Sequence, residues 1–227
     1  MGFILEVVSL RKRYSEKEVL RGVSFSLCRG EIFGLVGHNG AGKSTTLKII
    51  AGFLKQTGGE VRLCGRVGFL PERPYFYTEL TGREFLLLLN ATREKDFWER
   101  VRLYGERLGI GWALEKRIGE YSKGMLQRFG ILYTVLLGAD LLLLDEPTAG
   151  LDPVGRELVI NLMLELKSEG RAILFSTHVL SDVAKVCDRA GVLMKGELTD
   201  ILEGEDIKSV ERVFMERAQR LAPGEVL

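Results

Sequence analysis

The stretch GHNGAGKST, Gly37–Thr45, limits what this chain can become more than any other. It fits the pattern G-x-x-x-x-G-K-[ST] and stands between two segments of opposite character. Before it, GEIFGLVG is a short apolar run ending in glycine, as a buried parallel strand requires. After it, KSTTLKIIAGFL has the periodicity of a helix. In that setting the glycines let successive backbone N–H groups curl around a phosphate. The Lys43 ammonium reaches the β and γ phosphates, and the Ser44 hydroxyl is offered to Mg²⁺. A plain glycine-rich turn would explain the glycines but not a lysine in this context.

The rest of the chain has to supply a sheet and helices around that turn. FILEVVSL and EVLRGVSFSL alternate as strands, and GEVRLCG and RVGFL read as two more. Residues 74–137 have a different, helical texture. TGRE (Thr81–Glu84) is a capping box opening EFLLLLNAT. KDFWERVRLYGERLGI is helical up to a terminating Gly109, and a helix capped by Ser122 runs to about Leu137 before Gly138. Alternation of strand and helix then returns. LLLLD is a buried strand, and Asp152 with Pro153 opens the helix VGRELVINLMLELKSEG. RAILFSTH is a strand, VLSDVAKVC a helix, and RAGVLMKGELT a hairpin turning at Lys195–Gly196. EDIKSVERVFMERAQRL reads as an amphipathic helix. The expected fold is therefore α/β, with a mostly parallel sheet, an antiparallel N-terminal β subdomain and an inserted helical subdomain. In residue ranges, 1–73 and 138–200 form the core with its β subdomain. Residues 74–137 form the helical insert and 201–227 a helical tail, all within one domain.

Further side chains gather at strand ends, where open α/β sheets bind ligands. LLLLDEP (141–147) places Asp145 and Glu146 at the end of a buried strand, where adjacent carboxylates point in different directions. Asp145 is placed to face a metal through water, and Glu146 to hold an attacking water. His178 ends AILFSTH, where a satisfied structural role and a place near the γ-phosphate are both open. Tyr14, about one hairpin before the loop, suits stacking on a base and packing in the small sheet equally well. GEYSKGMLQRFG (119–130) starts a second helix whose N-terminus seeks an anion, although one phosphate loop is already present.

Composition closes off other classes. A net charge of +1 over 227 residues gives no strong field toward nucleic acid or acidic lipid. The 3 cysteines are odd in number, widely spaced and outside any CxxC, as expected of reduced, buried thiols in a cytosolic protein. The N-terminus has no secretory h-region, and no apolar run approaches the length of a membrane span.

Taken in order, these motifs resemble the ATP-binding subunit of ABC transporters over roughly residues 3–200. GHNGAGKST corresponds to Walker A, FLPE to the Q-loop and YSKGM to the signature. LLLLDEP corresponds to Walker B, AGLD to the D-loop and STH to the H-loop. The resemblance implies ATP and Mg²⁺ as cofactors. It places Gly37, His38, Asn39, Gly40, Ala41, Gly42, Lys43, Ser44 and Thr45, with Tyr14, on the nucleotide. It implies Ser44, Asp145 and Glu72 toward the metal, and Lys43, Glu146 and His178 in catalysis. It also explains the second helix: two subunits pack head-to-tail, and Ser122 and Gly124 of one close on the γ-phosphate held by the other, with Asp152 helping to join them. The implied partners are a second ATPase subunit and a transmembrane permease at the cytoplasmic face of the membrane, with no nucleic acid. FLPERPYFYTELTGREFL and SVERVFMERA are similar to exporters of the drug and antibiotic-resistance type. A soluble ATPase of the same family, acting in translation or repair, is the alternative. The chain departs from the family pattern at Glu72, where glutamine is usual, and at Lys123 and Met125 in the signature. His38 stands where proline is frequent, as a residue expected to tune the loop.

Overall fold

The computed structural model describes residues 2–89 and 95–220. Its first two strands, β1 (Phe3–Tyr14) and β2 (Lys17–Cys28), form a long antiparallel hairpin. Both run beyond the expected segments because the pairing continues to Tyr14 opposite Lys17, with Ser15 turning the chain at φ 47°. β4 (Gly58–Leu63) adds to the other edge of β1, giving a three-stranded antiparallel sheet in the order β2-β1-β4.

The second sheet carries the chemistry. It contains β3 (Ile32–Val36), β5 (Val67–Leu70), β6 (Leu141–Asp145), β7 (Ala172–Thr177), β8 (Arg189–Met194) and β9 (Glu197–Glu203). Their order is β5-β6-β7-β3-β8-β9, with all neighbours parallel except the β8–β9 hairpin. Every residue of β3, β6 and β7 is buried, which is why these strands read as continuous apolar runs rather than alternating ones. The hairpin turns at Lys195 (φ 47°) and Gly196 (φ 84°), the paired positive values that a tight two-residue turn demands.

α1 (Lys43–Ile50) follows β3. It stops short of the expected Leu54: Ala51 caps it, Gly52 turns left-handed at φ 79°, and Phe53 N–H bonds back to the Lys48 carbonyl. Among the described residues of 82–136 stand three α-helices: α2 (Gly82–Leu89), α3 (Phe97–Arg107) and α4 (Lys123–Leu136). The Thr81–Glu84 capping box is formed reciprocally. Thr81 N–H donates to Glu84 Oε2 at 2.8 Å, and Glu84 N–H to Thr81 Oγ1 at 3.1 Å. The expected extension of that helix through Asn90, Ala91 and Thr92 lies outside the described residues. An aromatic nest of Phe76, Phe85, Phe129 and Tyr133 holds α2 and α4 together. α5 (Pro153–Ser168) begins as expected, with the Asp152 carboxylate accepting from Gly155 N–H at 2.6 Å, and α6 (Leu180–Val186) follows β7.

β9 runs to Glu203, past the core boundary expected at residue 200, because Glu203 still pairs with Arg189 across the hairpin. A 3₁₀ turn (Gly204–Ser209) then leads into α7 (Val210–Gln219), while the last residues of the expected tail helix lie outside the described residues. Among the cysteines, Cys28 and Cys187 are partly covered but Cys64 is exposed, so the expectation of three buried thiols holds for two at most. Cys64 follows β4 at the open edge of the small sheet and is exposed there. Burial pushes the Cys187 thiol well above its ordinary pKa. Among the described residues no helix is long and apolar enough to cross a membrane.

Candidate functional site

The site lies at the carboxyl ends of β3, β6 and β7, around a cavity of about 500 Å³. β3 delivers the chain to Gly37, where any side chain would collide with the Leu193 carbonyl of β8, its Cβ lying 2.5 Å away. Gly42 adopts φ 110°, and a Cβ there would sit 2.6 Å from Leu20 Cδ2 of β2. These contacts press the loop between the two sheets, so glycine is needed at both ends of it. Gly42 is also the N-cap of α1 and offers no side-chain cap. The first-turn N–H groups of α1 therefore have no intrahelical partner and face the loop, as an anion cradle requires.

Lys43 is buried. Its ammonium donates to the Gly37 carbonyl at 2.7 Å and the His38 carbonyl at 3.3 Å, and lies 3.4 Å from Glu146 Oε1. Ser44 donates its hydroxyl to Asp145 Oδ1 at 3.0 Å, and Ser176 donates to the same oxygen at 2.6 Å. Glu146 reaches His178 through Oε2 and Nδ1 at 2.9 Å. His178 itself is largely exposed, with 55% of its side-chain surface free. Thus the structure brings Lys43, Ser44, Asp145, Glu146 and His178 into one hydrogen-bonded group, although the chain supplies them from three separate strand ends.

Glu146 is unusual in its backbone. Its φ is 52°, in the left-handed region that non-glycine residues rarely occupy. Three contacts hold it there. Its N–H donates to the Ser176 hydroxyl at 3.0 Å and the Ser176 carbonyl at 3.2 Å, and its own carbonyl accepts from Gln127 Nε2 at 3.2 Å. Gln127 is buried in α4 and also donates to the Pro147 carbonyl at 3.3 Å. Sequence reading missed it: apolar periodicity along a helix carries no signal for a glutamine pointing at another segment. Asp182 was missed for the same reason. It is buried after β7 and accepts from Thr148 at 2.7 Å and from Arg156 Nε at 2.6 Å, tying the segment after Glu146 to α5 and α6.

The other expected residues fall into two groups. His38, Asn39, Gly40, Thr45 and Glu72 line the cavity, with Glu72 exposed just beyond the end of β5. Ala41 is buried beneath the loop, its N–H closing a turn onto the His38 carbonyl at 3.1 Å. Burial and the neighbouring Lys43 ammonium hold the His38 pKa below its ordinary value. Tyr14, Ser122 and Gly124 are not in the cavity wall. Tyr14 is exposed at the hairpin end with the Lys12 ammonium 4.7 Å above its ring, and the next residues of the hairpin to reach the cavity are Lys17 and Val19. Ser122 caps α4, accepting from Met125 N–H at 3.2 Å. Lys123 is exposed and lies along Gly150, and Gly124 faces Leu151, so the start of α4 borders the segment 149–152. Of the three aromatics after the Q-loop position, Tyr75 and Tyr77 are exposed and Phe76 is packed.

Among the described residues no group of three or more His, Cys, Asp or Glu gathers to hold a metal. A Mg²⁺ that arrives with a nucleotide needs only one or two protein oxygens plus phosphates, and Ser44 Oγ beside Asp145 Oδ1 is such a pair of hard donors.

A family model described as ABC transporter matches residues 20–149. YxlF of Bacillus subtilis (strain 168), an ABC transporter ATP-binding protein, is 39% identical over 219 residues, covering 92% of this chain and 74% of its own length. The bacitracin transport ATP-binding protein BcrA of Bacillus licheniformis is 32% identical over 232 residues, covering 95% of this chain and 75% of its own. A solved ATP-binding subunit of an ABC transporter superposes with a TM-score of 0.83 at 31% identity, covering 96% of this chain and 95% of that one.

Proposed function

This chain belongs to the ABC transporter family of ATPases as an ATP-binding subunit, and on that premise we propose that it binds Mg-ATP between two head-to-tail copies and powers export through a separate membrane permease. What supports the paired arrangement is where the signature residues stand. Ser122 and Gly124 open a helix suited to an anion, yet the cavity wall that carries Lys43, Ser44, Glu146 and His178 does not include them. A second copy would bring its own α4 N-terminus to complete the enclosure.

In this reading the triphosphate takes the Lys43 ammonium away from the Gly37 and His38 carbonyls. The first-turn N–H groups of α1 hold the phosphate oxygens, and Tyr14 stacks on the base. Ser44 and Asp145 would hold Mg²⁺, with Glu72 reaching it through water, and the metal would neutralise charge on the phosphates. Glu146 orients a water and takes one of its protons as oxygen attacks the γ-phosphorus. The bond to the β-phosphate oxygen breaks, leaving ADP and phosphate. His178, bonded to Glu146, fixes the carboxylate's direction. Loss of the γ-phosphate removes what both copies grip and lets them part.

A transport role is favoured by the likeness to BcrA, a bacitracin transport ATP-binding protein, and the exposed Tyr75 and Tyr77 beside Glu72 suit a permease contact. The test is Glu146→Gln, assayed for ATP binding, self-association and turnover. Binding and ATP-dependent dimers are expected to persist while turnover falls about 10²–10⁴-fold. Undiminished turnover, or a variant that stays monomeric at saturating ATP, rejects the mechanism. Recovery of the wild type from native cells with a membrane permease separates transport from a soluble role.

A further inference from the structure

Helix α7 touches the phosphate loop. Its Phe214 ring lies 4.6 Å, centroid to centroid, from the His38 ring, with the planes at 48°. Phe214 is buried, and α7 packs on α6 and β8. Its far end is pinned by Arg217, which donates to both carboxylate oxygens of Asp200 on β9 at 2.7 and 2.6 Å. The helix is therefore fixed to the sheet on one side and to the loop on the other.

His38 matters to the loop through its backbone. Its carbonyl accepts from Ala41 N–H at 3.1 Å and from Lys43 Nζ at 3.3 Å. Where that carbonyl points sets both the turn and the resting place of the ammonium. On its buried side the ring has no hydrogen bond to steer it: His38 Nε2 is buried without a partner among the described residues. Packing against Phe214 steers that side of the ring, and through Cα the ring constrains the peptide that carries the carbonyl.

We propose that α7 positions the phosphate loop for ATP through the Phe214–His38 contact, with Phe214 as a positioning residue that never touches nucleotide. This rests on the reading that the loop binds ATP. Freed of Phe214, the loop samples other arrangements, and binding must select the competent one. Affinity falls by the fraction of time the loop spends elsewhere. Chemistry in the bound state, where phosphate itself orders the loop, is little changed.

The experiment uses the full chain and a fluorescent ATP analogue, with steady-state ATPase alongside. Phe214→Ala is expected to raise Kd and KM about 5-fold, with kcat within about twofold of wild type. Phe214→Tyr, which keeps the ring, should restore both. His38→Ala should raise Kd similarly, and the double variant no further, because both remove one contact. If Phe214→Ala does not fold, His38→Ala with Phe214→Tyr as control decides. Unchanged Kd in His38→Ala and Phe214→Ala, additive losses in the double variant, or a fall in kcat at constant KM overturns the proposal. Failure of the wild type to bind the analogue instead overturns the nucleotide reading beneath it.

Discussion

The left-handed backbone at Glu146 makes a prediction whose sign is opposite to the ordinary one. An L-residue at φ 52° carries roughly 1–2 kcal/mol of steric cost that glycine escapes. Comparing Glu146→Gly with Glu146→Ala isolates that cost. Both variants lose the same contacts, 3.4 Å to Lys43 and 2.9 Å to His178, so those losses cancel in the difference. Alanine introduces no new clash, since glutamate already has a Cβ. Against glycine stands its greater freedom in the unfolded chain, about 0.4–1 kcal/mol. At mid-range values the balance leaves the glycine variant ahead by about 0.8 kcal/mol, whereas at a helical or extended position alanine would lead. For a chain of this size that is roughly 1–4 °C in melting temperature. Thermal and urea unfolding followed by circular dichroism, without nucleotide so that ligand does not add its own stabilisation, measures it. An alanine variant as stable as the glycine variant, or more so, would refute the claim that Ser176 and Gln127 hold a strained residue in place.

Two other outcomes follow from buried groups. Asp182→Ala strands Thr148 and Arg156 beside a lost carboxylate. It is expected to cost about 2–4 kcal/mol, seen as a melting temperature lower by roughly 5–15 °C, and a loss under about 1 kcal/mol would show the pair to be unimportant. His38 titrates below its ordinary 6.5 when folded, because of burial and Lys43. The unfolded chain therefore binds the extra proton first, and stability contributed by neutral His38 is present above 6.5 and lost as pH falls through the folded value. His38→Phe should flatten that part of the stability profile as pH falls below 6.5, and an identical slope in both proteins would exclude His38 as its source.

Most of the fold could be read from the chain because its signals are local. The capping box at Thr81–Glu84, the Asp152 cap and the Lys195–Gly196 turn are each decided by residues within one turn of backbone, and each formed as read. Errors arose where tertiary pairing overrode local pattern. β1 and β2 extend as far as they can pair, and β9 passes residue 200 because Arg189 is there to face Glu203. Helix α1 ends early because Gly52 turns the chain before apolar periodicity runs out. Which small strand joins which sheet was never a local matter. β4 and β5 are adjacent in sequence and look alike, yet β4 goes to β1 and β5 to β6.

The candidate site divides along the same line. Loop glycines and Lys43 announce themselves because phosphate binding by backbone N–H needs consecutive residues. Glu146 is visible as an acid at a strand end, but nothing in LLLLDEP states that its backbone is left-handed. That conformation is imposed by Ser176 from β7 and Gln127 from α4, at sequence distances of 30 and 19 residues. The consequence runs in both directions. Gln127 lies one turn beyond Gly124, so whatever binds the start of α4 is joined through one buried side chain to the carbonyl of Glu146 in the same copy. In a head-to-tail pair, each α4 would then touch its partner's nucleotide at one end and its own Glu146 further along. The two sites would then be linked through a rigid helix, and Gln127→Leu, which removes that link together with one of the contacts that hold Glu146 in the cavity wall, is expected to lower steady-state ATP turnover; unchanged turnover would reject the link.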